Sequence, residues 1–222
     1  MLQSLDKGIK GVRIGYDPEY SETNVDEELL TNIHSSIDLL KELGATIVEV
    51  SFPKNFDLRD QWRIICTYEA ALAHRDNYPS RASEYGDFFG DFLKIGSEID
   101  ARSYEAASVE RQKFNKQFET TLDSIDALLC PGGGVPFKVP SDLMYGSMAK
   151  IRSFMNPYTY FQFTIPANFA GVPALSLPCG VSQAGFLHSM QLMGSKLSEP
   201  LLCQIGNAYQ LATEWHQYGP EV

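Results

Sequence analysis

Residues 11–52 constrain the fold most, because three segments follow one another there with their ends marked. GVRIGYD (11–17) reads as a short buried strand. Leu29, Ile33, Ile37 and Leu40 then recur at helical spacing, the signature of an amphipathic helix. Asn24 stands as its cap with Glu27 three residues on, as in a capping box, and Gly44 is its stop. ATIVEVSF (45–52) follows as a second strand, closed by Pro53. Strand, helix and strand in this order form a βαβ unit, which predicts two parallel strands joined by a right-handed crossover.

Beyond this unit the chain is strand-poor and then strand-rich. The pattern predicts a helix over 57–75, with Trp62, Ile65, Ala70 and Ala73 available for one face. Pro79, Gly86, Gly90 and Gly96 break residues 78–100 into expected short helices and loops. A long helix is predicted over 102–123, with a stripe at Ala107, Phe114, Phe118 and Leu122. IDALLC (125–130) is a continuous apolar run, suited to a strand buried on both faces. It opens into the Gly/Pro loop PGGGVPFKVP, and residues 141–163 carry no clear periodicity. PALSLPC (173–179) and SMQLMG (189–194) read as a strand pair joined by a Gly-bearing turn. A last helix is expected over 198–214, opened by Ser198. The expected architecture is one α/β domain over residues 1–222, a mixed sheet flanked by helices. A helix-rich insertion occupies about 57–123, and 13 Phe and 11 Tyr supply bulk for the core.

Charge and cysteine usage narrow the function. Lys and Arg number 18 against 28 Asp and Glu, a formal net charge of −10. Nucleic-acid binding needs a basic patch, so neither DNA nor RNA is an expected partner, and an anionic membrane surface is disfavoured likewise. Cys66, Cys130, Cys179 and Cys203 form no CxxC pair and no zinc spacing. Such wide spacing reads as free thiols in a reducing compartment. MLQSLDKGIKG holds no apolar run of a signal peptide, and no stretch approaches the length of a membrane span. A cytoplasmic location is the expectation, and no cofactor or metal is implied.

Four features bear on chemistry. Gly132, Gly133 and Gly134 follow a buried strand, where backbone N–H groups can approach a ligand. Val135-Pro136 stands where a phosphate loop needs Lys-Ser/Thr. The run therefore lines a pocket at a strand end or is a bare turn. Arg111 lies on the apolar stripe of its helix, and a guanidinium there requires an acceptor. A structural acceptor and a ligand anion are both open. His34, His74, His188 and His216 are scattered, and only Cys179 and His188, flanking one hairpin, could form a nucleophile–base pair. A thiol ending an apolar strand is otherwise inert packing. The carboxylates fall mostly on solvated faces, and none forms a metal-binding spacing.

The order of segments resembles the carboxy-terminal half of amidase-signature enzymes. GIKGVRIGYD, GATIVEVSFP, YEAALAH, SYEAASVERQKF, IDALLCPGGGVP, MQLMG and ATEWHQYGP carry the series. TIPANFAGVPALSLPCG (164–180) is its most specific stretch, and Gln191 continues it. The resemblance spans about Gly8 to Pro220. It implies a hydrolase of carboxamide C–N bonds, in which a Ser nucleophile is activated by a second Ser with a cis peptide bond and by a Lys base. A Gly-rich turn then stabilises the oxyanion. The glycine- and serine-rich signature that carries those residues is absent from the sequence. The bond-breaking groups are therefore expected outside this chain, and this chain alone is expected to be inactive.

The resemblance also places Arg111 where transamidating members hold the substrate carboxylate, and Phe161 where they hold the substrate amino group with an acid. Phe161 cannot pair with an ammonium, which argues against glutamine as substrate, and the net charge of −10 argues against a tRNA partner. In GFLHS (185–189) Leu187 and Ser189 depart from the family's Gly-Leu-Pro-x-Gly. Expected site residues are thus Arg111, Phe161, Gly132, Gly133 and Gly134, with a small amide as substrate of the complete enzyme. A truncated binding or interaction module and an amidotransferase-like protein are the alternatives. Self-association into a homo-oligomer is expected through surface that a missing half would cover.

Overall fold

The computed structural model describes residues 2–134 and 157–218. The later part of the Gly/Pro loop and most of the 141–163 stretch lie outside the described residues. β1 (Arg13–Tyr16) and β2 (Thr46–Glu49) pair in parallel from Arg13↔Thr46 to Tyr16↔Glu49. The one-turn helix α1 (Pro18–Glu22) and then α2 (Glu27–Glu42) connect them, which is the expected βαβ unit. The cap of α2 is Asp26, not Asn24: its carboxylate accepts from the N–H groups of Glu28 and Leu29. Asn24 instead has φ +59 and turns the chain between the two helices. All four predicted stripe residues of α2 are buried. Gly44 follows the last turn at φ +98, a conformation that favours glycine at a helix end.

α3 (Leu58–Ala73), α4 (Asp87–Ser97) and α5 (Ala101–Leu122) follow. Helix α4 runs through Gly90 and Gly96, longer than the glycines suggest. At Gly96 a Cβ would overlap the Thr67 carbonyl of α3, so that glycine serves the close approach of two helices.

β3 (Ala127–Pro131) is buried throughout and pairs in parallel with β1. After α6 (Pro157–Ala170) come β4 (Ala174–Val181) and β5 (Leu187–Met193), an antiparallel hairpin with an irregularity between Pro178 and Gly180. β5 also pairs antiparallel with β3, giving a five-stranded mixed sheet in the order β2-β1-β3-β5-β4. α7 (Glu199–Leu211) ends the layered part. Ser198 stands at its start, but its side chain makes no capping hydrogen bond.

Alternation along β3 splits the core in two. Ala127 and Leu129 face a largely aliphatic layer with Leu29, Ile33 and Leu40 of α2 and Leu202 and Ile205 of α7. Leu128 and Cys130 face an aromatic layer with Phe114 and Phe118 of α5 and Phe163 and Phe169 of α6. The crossover from β1 to β2 thus runs over one face, and the helices leading from β2 to β3 cover the other. That reversal sets the carboxyl ends of β1 and β3 side by side, the place where open α/β sheets carry ligands. Among the described residues no helix is long and apolar enough to cross a membrane.

Candidate functional site

The carboxyl ends of β1 and β2 open into a cleft of about 880 Å³. Asp17 and Tyr20 reach it from the β1 exit, and Phe52 to Asp60 from the β2 exit. Phe161, Gln162 and Ile165 of α6 close the far wall.

Asp17 is 4% exposed. It is fixed by two backbone donors, Tyr20 N at 3.2 Å and Phe52 N at 2.6 Å, so it ties the two strand exits together. The Tyr20 ring stacks on Phe52, with centroids 3.8 Å apart and planes 5° from parallel. Its hydroxyl donates to the Gln162 carbonyl at 2.9 Å, and Gln162 Nε2 returns a bond to the Tyr20 carbonyl at 2.8 Å. Burial raises the Tyr20 phenol well above its ordinary range, so it stays a neutral donor. The Phe161 ring lies 6.3 Å from that of Trp62, and the Arg59 guanidinium carbon stands 5.9 Å from the Phe161 centroid. The cleft therefore combines aromatic faces with charged groups at its mouth, where Lys54 pairs with Glu19 and Arg63 with Asp60.

Of the five residues singled out from the sequence, the structure brings Phe161 into this cleft. Arg111 is half-buried, and its Nε donates to the Phe169 carbonyl at 2.6 Å. That carbonyl lies in the last turn of α6, where carbonyls lack helical partners and a cation is favoured by the helix dipole. The acceptor that Arg111 requires is thus found within the fold. Gly132 donates its N–H to the Ser189 carbonyl at 2.8 Å, and a Cβ there would strike Ser189 Oγ. Close packing on the hairpin requires glycine at 132, whereas a Cβ at Gly133 would meet open space. Ser189 is one of the two departures in the hairpin sequence, and it fills the space over Gly132.

The Cys179–His188 pair is not an activated nucleophile. Burial pushes the Cys179 thiol up to about 12, and the His188 Nδ1 is engaged by the Asn32 amide at 2.9 Å. Cys130 is likewise held neutral by burial, at about 12. All four cysteines are free.

Sequence reasoning misses Asp17, Tyr20 and Arg59. Asp17 and Tyr20 lie directly after a strand in the DPEY run, and that position is the available signal.

The family model for amidases matches residues 2–203. The chain belongs to the amidase family. It is 30% identical over 244 residues to a subunit of the glutamyl-tRNA(Gln) amidotransferase of Cyanothece sp. (strain PCC 7425 / ATCC 29141), covering 99% of this chain and 49% of that protein. It is 31% identical over 221 residues to an amidase of Pseudomonas putida, covering 99% and 47%. Among solved structures, 6-aminohexanoate cyclic dimer hydrolase superposes with a TM-score of 0.81 at 19% identity, over 99% of this chain and 48% of that one. A bacterial aryl acylamidase of the amidase-signature family gives 0.75 at 18%, over 96% and 46%. The mixed sheet and its helices are therefore an amidase-signature architecture, and the chain spans about half the length of the amidase relatives it matches.

Proposed function

We propose that this chain is the substrate-accommodating half of an amidase that hydrolyses the C–N bond of a small amide with an apolar or aromatic part. The position of Phe161 carries the reading. It stands in the wall of the cleft at the strand ends, with Phe52, Phe56 and Ile165 offering further apolar surface. The Ser–cis-Ser–Lys chemistry belongs in this reading to residues outside the chain. Gly133 and Gly134, at the end of the neighbouring strand β3, extend the surface available to substrate. Arg111 supports the site through the Phe169 carbonyl. An amidotransferase role is the weaker reading, because Phe161 offers no carboxylate to form an ion pair with an ammonium and a chain of net charge −10 repels tRNA.

The test is to assay the purified 222-residue chain against a panel of aromatic and aliphatic amides, following amine or ammonia release. No turnover is expected, since removing a serine-hydrolase triad lowers rates by roughly 10⁴–10⁶. Turnover that copurifies with the chain, and persists until one Ser or Cys is mutated, would overturn the assignment of chemistry to residues elsewhere.

The surface favours a second reading, self-association. Among the described residues β2 and β4 each pair on one side only within the sheet, and open strand edges invite pairing. Leu72, Phe88 and Phe89 also stand 52%, 40% and 37% exposed. Light scattering should show an oligomer, and a stable monodisperse monomer would contradict it.

A further inference from the structure

Pro166 lies inside α6. Proline has no N–H, so the carbonyl four residues back loses its helical donor. That carbonyl belongs to Gln162, and it is the one that accepts the Tyr20 hydroxyl at 2.9 Å. The next carbonyl, of Phe163, accepts Gln191 Nε2 at 2.8 Å. Gln191 is 6% exposed and sits on β5, with its amide 3.7 Å from Cys130 Sγ. Two side chains from two distant parts of the chain therefore serve adjacent carbonyls, one of which the proline itself strips of its donor.

The geometry points to Tyr20 and Gln191 as positioning residues for the cleft. They satisfy the carbonyls at the interrupted turn of α6 and so fix the preceding turn, which carries Phe161 and Gln162 in the cleft wall. The pairing is reciprocal at Tyr20. Helix α1 stops after Glu22, and the Tyr20 carbonyl receives Gln162 Nε2 at 2.8 Å. An unsatisfied buried carbonyl is costly, so loss of the Tyr20 hydroxyl leaves the turn free to seek another arrangement, and loss of Gln191 removes a second tie at the next carbonyl. The consequence for binding rests on the reading of the cleft as the amide site, but the geometry does not.

The experiment is a double-mutant cycle in a Trp215→Phe background, where Trp62, 6.3 Å from Phe161, is the remaining tryptophan. Tyr20→Phe removes only the hydroxyl and keeps the ring that stacks on Phe52. Pro166→Ala restores the N–H that can serve the Gln162 carbonyl. Three readouts are taken: denaturation midpoint, Trp62 emission, and affinity for benzamide as the amide probe. Tyr20→Phe alone should lower the midpoint, shift the emission and weaken benzamide about tenfold, the factor that corresponds to one ordinary hydrogen bond. Added to Pro166→Ala, it should change affinity by less than about twofold.

Gln191→Leu, which removes the second donor at similar volume, should also shift the emission. Equal effects of Tyr20→Phe in both backgrounds would overturn the inference. So would a lowered midpoint with Trp62 emission and benzamide affinity unmoved, which is the mark of a merely structural role. If the parent chain binds no benzamide, the amide reading of the cleft fails. The coupling of midpoint and emission between positions 20 and 166 then decides the positioning role by itself.

Discussion

The two faces of the sheet are built by different means. On one, α2 and α7 lay aliphatic stripes on the strands, and their polar ties leave from side chains: Asn32 to His188, Ser36 to Tyr209 and Gln204 to the Gly8 carbonyl. On the other, α6 is held by named hydrogen bonds as well as by aromatic packing: Tyr20, Gln191 and Arg111 each donate to one of its carbonyls. The second face borders the cleft, and its polar ties sit where the wall must keep its shape. The helices that cover the sheet are tied through their side chains, whereas the helix that presents side chains to a cavity is also fixed through its backbone carbonyls.

The contrast is broken most severely by large-to-small changes in the layers. Phe114→Ala should cost about 3–5 kcal/mol, and Ile33→Ala on the other face about 2–5 kcal/mol, read by denaturant unfolding. Only Phe114→Ala should disturb Trp62 emission, because Phe114 packs on Phe52 and Phe56 of the cleft. An equal disturbance from Ile33→Ala would erase the distinction.

Alkali probes both faces, since Cys130 lies in the aromatic layer and Cys179 in the aliphatic one. Burial raises each thiol to about 12 in the fold, while an unfolded thiol ionises near about 8.5. Between those values the unfolded chain binds fewer protons than the folded one. Stability is therefore complete below the lower value and falls as pH rises through the window, by about 1.4 kcal/mol per pH unit for each thiol. Buried Tyr20 adds to the fall as pH passes the ordinary phenol range, so Cys130→Ala and Cys179→Ala should each remove about 1.4 kcal/mol per pH unit of it rather than abolish it, and a pH-independent stability from about 9 to 11 would contradict the burial of both.

Arg111→Met should cost about 1.5–3 kcal/mol, the range for a hydrogen bond to a charged group. Unchanged stability with lost amide binding would instead assign the guanidinium to the ligand. Smallest is the comparison of helix starts. Asp26→Ala should cost about 1 kcal/mol, and Ser198→Ala should stay within about 0.5 kcal/mol, since Ser198 makes no cap.

These outcomes follow how legible each region is. The stripes of α2 and α5 and the apolar run of β3 are readable because burial there follows local periodicity. The α2 cap stands two residues beyond Asn24, since Asn24, Asp26 and Glu27 all fit the pattern and only the φ of +59 at Asn24 decides between them. The need of Arg111 for an acceptor is readable, but its identity is not, because Phe169 lies 58 residues away. For Tyr20 only its place after a strand is readable, not its role: its partner is 142 residues distant, and Pro166 interrupts a helix that begins in a stretch without clear periodicity.

The central claim is that the cleft at the strand ends receives an amide against Phe161. Titrating the chain with benzamide while following Trp62 emission in the Trp215→Phe background tests it most directly. A saturable change that disappears in Phe161→Ala is the expected result. No saturable change, or the same affinity in Phe161→Ala, would contradict it.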